Sequence, residues 1–186
     1  MKKKHIQNIL IIAIIVAIIS TFAYFKIDIQ SVGGHKKLNN SEKTIGEVTL
    51  SINCNTINDN YDMLDDKLKD EKYVPSDGDI LKEEKYTIHN GDTVFDILVN
   101  ATKKNDIQME YSGSDSKGTQ YIRGINYLYE FSCGKLSGWM YKVNDEFPGY
   151  GCGQYKLKDG DKIEFVYTCD LGRDVGDTYD VNRNGD

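Results

Sequence analysis

Four cysteines, Cys54, Cys133, Cys152 and Cys169, carry the most reactive side chains of this 186-residue chain. Thiols can hold zinc, shuttle electrons or cross-link a fold. Zinc sites use closely spaced Cys pairs or nearby His, and neither is present. No Cys-x-x-Cys occurs, so a redox motif is not supported. An even number of Cys in an exported chain reads as a disulfide framework, with three connectivities open. Cys54 ends the first expected strand and Cys169 the last. If those strands are parallel neighbours their ends meet, so Cys54–Cys169 and Cys133–Cys152 are expected.

Other reactive patterns are weaker. Ser114-Asp115-Ser116-Lys117 copies Ser-x-x-Lys, but in a Gly/Ser turn and not at a helix start. His35 stands alone in a polar stretch, and His89 lies in an expected strand. The aspartates between Asn55 and Leu81 lack metal-loop spacing and read as a solvated loop. Asp180-Val181-Asn182-Arg183-Asn184-Gly185 starts like an EF-hand loop without its bidentate Glu. No Gly-x-Ser-x-Gly, phosphate loop or His-Glu-x-x-His is found. No catalytic residue and no metal ligand is therefore assigned, and an enzyme is not expected.

Binding is the chemistry that remains. Trp139, Tyr141, Tyr150 and Tyr155 offer flat apolar surfaces with polar tips. Gly149 and Gly151 flank Tyr150 and would let a ligand approach the backbone. These six residues form the expected ligand site.

The elements positioning them follow from periodicity. Val48, Leu50 and Ile52 alternate within a strand over residues 46–54, and Lys85–His89 forms a second strand. Thr93 with Asp96 makes a capping-box pattern before the stripe Val94, Ile97, Leu98 and Ala101, and Lys103-Lys104 suits a helix end. Residues 107–111 and 120–131 read as strands, the latter broken at Gly124. Trp139, Tyr141 and Val143 share one face of a strand, as do Ile163, Phe165 and Tyr167. Between these lie the turn Asn144-Asp145, a short strand within 149–157 and the turn Asp159-Gly160. The expected class is α+β: a β-grasp-like mixed sheet with one helix across it, its first and last strands central, adjacent and parallel.

The N-terminus adds a location. Lys2, Lys3 and Lys4 precede residues 6–25, which contain no Asp, Glu, Lys or Arg. About 20 apolar residues span a bilayer, and the lysines keep that end cytoplasmic. The organisation read is a basic head (1–5), a transmembrane anchor (6–25), a tether (26–45), one domain (46–174) and a polar tail (175–186). A cleaved signal peptide, giving a secreted protein, is the alternative. Residues 1–25 hold three of the 23 Lys and Arg and none of the 29 Asp and Glu. The remainder thus carries 20 bases against 29 acids, a formal net of −9. That surface argues against nucleic acid as a partner.

Trp139 with its strand, Pro148, Tyr155 and Lys158-Asp159-Gly160-Asp161-x-Ile163-Glu164 resemble the C-terminal domain of the transcobalamin and intrinsic-factor proteins. The pattern is closer to a bacterial family named after that domain, found in exported proteins of Gram-positive bacteria. Its motifs correspond to Thr93–Leu98, Ser137–Tyr141 and Cys169–Asp174, and the resemblance covers roughly residues 46–176. Asn144-Asp145 departs from that family's Asn-Gly turn. The resemblance implies a β-grasp-like domain and, less directly, contact with cobalamin as ligand; no cofactor is expected. The large helical domain that accompanies it in the animal carriers is absent from this sequence. Two readings stay open: a surface module capturing a corrinoid or other ring-shaped ligand for an uptake transporter, or a structural or adhesive surface domain.

Overall fold

Apolar residues at every second position can all face one core when the backbone is extended. In the computed structural model, which describes residues 43–114 and 117–177, this pattern organises a mixed α+β domain. Strand β1 (Thr44–Asn53) turns Val48, Leu50 and Ile52 inward, all but fully buried. It is followed by a single helical turn, α1 (Thr56–Asp59), and two 3-10 turns at Tyr61–Met63 and Asp66–Leu68. Strand β2 (Asp79–His89) begins six residues earlier than the alternation around Lys85 indicates. Its early half, Lys82 to Lys85, is charged and pairs with β1 through backbone hydrogen bonds, which do not depend on side-chain type.

Helix α2 (Val94–Lys104) has the expected boundaries, because its ends are written locally. Thr93 Oγ1 accepts from Asp96 N, and Thr93 N donates to Asp96 Oδ2 at 2.9 Å, completing the capping box. Val94, Phe95, Ile97, Leu98 and Ala101 are buried. Strands β3 (Met109–Ser112), β4 (Tyr121–Ile125) and β5 (Leu128–Tyr129) form a small antiparallel sheet. The break between β4 and β5 falls at Asn126-Tyr127, both at positive φ, and not at Gly124. Gly124 stays in the strand because the Tyr129 ring packs where a Cβ would stand.

Strands β6 (Gly138–Val143) and β7 (Lys162–Thr168) complete the main sheet, whose order is β2-β1-β7-β6. The first and last strands are central, adjacent and parallel, as expected. Trp139, Tyr141 and Val143 stand opposite Tyr167, Phe165 and Ile163, so the two aromatic rows share one face. The expected strand within 149–157 does not form; only an isolated bridge joins Lys156 to Thr93.

The cysteines differ from expectation. All four are buried free thiols. Neither Cys54–Cys169 nor Cys133–Cys152 is formed, and the register explains the first. Asn53 pairs with Val166, which sets Cys54 beside Tyr167 and Thr56 beside Cys169. Cys54 therefore falls two residues short of Cys169, and its Sγ contacts Gly78 O instead. Cys152 lies against Gln120, with its carbonyl on Phe95 N, while Cys133 lies against α1.

Among the described residues, no helix is long and apolar enough to cross a membrane. The expected anchor over 6–25, the tether up to residue 42 and the EF-hand-like run at 180–185 lie outside the described residues, while Thr44 and Ile45, expected in the tether, belong to β1. No group of three His, Cys, Asp or Glu that could hold a metal occurs among them.

Candidate functional site

Strand β6 is an outer strand, so one of its sides has no neighbour in the sheet. Asn144 N donates to Lys162 O, which fixes which β6 residues bond toward β7. In an antiparallel ladder the alternate residues then point their N–H and C=O outward. Those residues are Trp139, Tyr141 and Val143. At Val143 the outward groups are taken: the chain turns through Asn144-Asp145, both at positive φ, and Glu146 bonds back to Val143 in both directions.

Continuing that pairing would set Pro148 opposite Tyr141. Proline has no N–H to donate, so the ladder stops after one bridge. The segment 147–151 peels away from β6 and leaves a cavity of about 400 Å³ between them. Met140, Tyr141, Phe147, Pro148 and Tyr150 are among its walls, with Phe165 at its floor. Tyr141 Oη bridges the gap, donating to Tyr150 O at 2.8 Å.

The aromatic groups divide into anchors and contacts. Trp139 is an anchor: only 9% exposed, its Nε1 donates to Leu128 O at 2.7 Å. Its ring meets Tyr167 edge-on, with centroids 5.2 Å apart. Tyr141 stacks over Phe165 at 5.9 Å, and burial pushes its phenol up, so it remains a neutral donor. Tyr150 is half exposed and stacks on Tyr155 at 6.1 Å. Of the six expected residues, Trp139, Tyr141, Gly149, Tyr150 and Gly151 line the cavity; Tyr155 supports Tyr150 from behind. Trp139, expected to supply the main flat contact, lines the cavity but has most of its ring enclosed by the surrounding fold. Tyr150 presents the more exposed ring.

The two glycines also differ. A Cβ at Gly149 would meet nothing within 4 Å, so its backbone lies open. One at Gly151 would stand 3.2 Å from Gly118 O, so that residue serves close packing of the loop. Sequence reading missed Tyr121, Met140, Phe147 and Phe165 as cavity residues. Phe147 beside Pro148 was the available signal; Tyr121 comes from another sheet and carries none.

Asp177 is the one charged side chain among the described wall residues. Cys152 also borders the cavity, but burial pushes its thiol up to about 11. At neutral pH it is a thiol and a poor nucleophile. His89 lies on β2, 3.4 Å from Asp92 and away from this cavity. What the arrangement can do is hold an apolar, flat group against Tyr150 while the outward amides and carbonyls of Trp139 and Tyr141 meet polar substituents.

A second cavity, of about 380 Å³, continues along β6 and shares Tyr121, Trp139 and Met140 with the first. Phe131, Leu136 and Leu171 on its walls are exposed.

The fold and cavity define a mixed α+β domain with an aromatic recess on one sheet edge. Residues 91–168, from the turn before α2 to the end of β7, match the family described as "Domain of unknown function (DUF4430)". No curated protein matches the chain. Among solved structures, haptocorrin in complex with Cbi is similar, with a TM-score of 0.47 and 19% identity. That match covers 71% of this chain and 27% of haptocorrin, so this chain spans about a quarter of that protein's length. A candidate metal binding protein from Ruminococcus gnavus ATCC 29149 is similar at a TM-score of 0.38 and 14% identity, over 66% of this chain and 96% of that one.

Proposed function

We propose that this β-grasp-like domain is an extracellular ligand-binding module, held at the membrane by residues 6–25. It takes one face of a ring-shaped ligand, a corrinoid first among candidates, in the recess beside β6, and releases it unchanged. The observation that carries this reading is the recess itself: Pro148 stops strand pairing, and the opening is floored and walled by aromatic side chains beside unpaired strand-edge polar groups. The resemblance of residues 137–164 to the transcobalamin C-terminal domain supports the corrinoid. A recess of about 400 Å³ lies near the small end of ligand pockets, so it would cover part of such a ring and leave the rest exposed. Delivery to an uptake transporter would use that exposed part.

The test is an absorbance titration with cobinamide and with cyanocobalamin, on wild type and on Tyr150→Ala. Wild type should bind in the micromolar range or tighter. The variant should bind at least tenfold more weakly, a loss of about 1.4 kcal/mol, with its melting temperature nearly unchanged. Absence of binding by wild type at high micromolar concentration rejects the corrinoid reading.

A structural or adhesive role is favoured by one observation. Phe131 is 63% and Leu171 53% exposed beside the second cavity, an apolar surface suited to a protein partner. It predicts that Phe131→Ser abolishes attachment to a surface while leaving corrinoid titrations unchanged.

A further inference from the structure

We infer that Cys133 and Cys169 form the single disulfide of this domain, and that Cys54 and Cys152 stay as thiols. The inference is independent of the corrinoid reading. It starts from the β6–β7 register. Gly138 pairs with Thr168, which sets Ser137 opposite Cys169 just beyond the ladder. The chain before Ser137 folds back on itself: Ser137 N donates to Gly134 O, and Cys133 N donates to Ser137 Oγ at 3.0 Å. Tyr167 Oη hydrogen-bonds the same Ser137 Oγ. Cys133 is thereby carried to the end of β7. Both sulfurs then converge on one helical turn. Cys133 Sγ contacts Asn60 O at 3.4 Å, and Cys169 Sγ contacts Thr56 Oγ1 at 3.7 Å. Asn60 Nδ2 donates to Thr56 O, closing that turn.

Interaction with the Cys169 side chain lowers the Cys133 thiol, while Cys133 and burial raise Cys169, which makes Cys133 the first to ionise. Burial pushes Cys54 up to about 12 and Cys152 up to about 11, and neither has a thiol neighbour among its contacts.

The bond forms by exchange with a small disulfide such as oxidised glutathione. Cys133 thiolate attacks one sulfur and releases the other as a thiolate, giving a mixed disulfide. Cys169, losing its proton to solvent, attacks the Cys133 sulfur and releases the second small thiolate. Two protein thiols are oxidised and one small disulfide is reduced to two thiols. Both cysteines are buried, Cys133 completely, so exchange takes place before the 130–137 loop closes on β7 during folding. The consequence is local. Residues 130–137 form one wall of the second cavity and Thr168 and Leu171 another, so the cross-link holds these walls together.

The experiment unfolds and reduces the full-length chain in detergent, then refolds it in a glutathione redox buffer. Free thiols are alkylated and peptides mapped without reduction. The expected result is one cross-linked Cys133–Cys169 peptide with Cys54 and Cys152 alkylated. Reductant should lower the melting temperature of wild type by roughly 10 °C and leave that of Cys133→Ala unmoved. A Cys54–Cys169 or Cys133–Cys152 peptide, or four alkylated cysteines in protein with native circular dichroism, overturns the inference.

Discussion

On β2, one outer strand of the main sheet, Lys82, Glu83 and Lys85 are exposed, and Glu84 is clasped to helix α2. Its carboxylate accepts from Tyr86 Oη at 2.7 Å, Lys104 Nζ at 3.0 Å and Asn105 Nδ2 at 3.2 Å. On β6, the other outer strand, the one charged residue is Lys142, and it is directed to Glu164 on β7 at 3.3 Å. The outer side of β6 is instead bordered by Tyr150, Phe147, Tyr121 and the two cavities. Charge on an exposed strand edge discourages pairing with other chains, and that is how β2 is guarded. The β6 edge has no such guard, only a proline that keeps its own chain from pairing. An edge left apolar and open, in a sheet whose opposite edge is charged, is the edge suited to receive a ligand or partner.

That contrast can be broken at three points. The largest effect is expected beneath the β6 edge. Trp139→Ala removes a buried indole, its bond to Leu128 O and its contact with Tyr167, and should destabilise the domain by about 3–5 kcal/mol in urea unfolding. A loss below about 1 kcal/mol would show that Trp139 is a surface contact and not the anchor of the recess.

The charged edge should respond less, and with a pH signature. The hydrogen bond from Tyr86, with those from Lys104 and Asn105, lowers the Glu84 carboxyl from 4.5 to about 2. A depressed folded-state value means stability that is complete above the unfolded value and lost as pH falls through about 2. Glu84→Gln should therefore cost about 1 kcal/mol near neutral pH. Its difference from wild type should shrink across pH 4.5 to 2 in urea titrations. A difference independent of pH would mean that packing, and not the carboxylate, ties α2 to β2.

The smallest change sharpens the recess itself. Tyr141→Phe deletes only the donor to Tyr150 O, costing about 0.5–1.5 kcal/mol. It should weaken corrinoid binding through loss of loop placement, with the cavity walls otherwise intact. Binding unchanged by Tyr141→Phe would place the contact in the second cavity.

Some of this site could be read directly. Trp139, Tyr141 and Tyr150 were legible because they are aromatic, clustered in sequence and flanked by glycine. Tyr121 was not, because it reaches the cavity from the small sheet, and no sequence spacing encodes that meeting. The function of Pro148 was half visible: its identity was plain, but its effect depends on standing opposite Tyr141, a matter of register.

What the sequence by itself determined is what depends on near neighbours along the chain. Helix α2 begins at Thr93 because a hydroxyl and a carboxylate three residues apart satisfy each other's backbone, whatever lies beyond. The aromatic faces of β6 and β7 follow from a two-residue period. The parallel pairing of β1 with β7 was also within reach, since one helix and a run of strands leave few arrangements. Only the tertiary structure decided where along β7 the first strand sits. Sliding a strand by two residues keeps every side chain on its original face, so alternation cannot distinguish the two alignments. That slip moves Cys54 off Cys169, so which cysteine comes nearest Cys169 is a property of register and not of sequence.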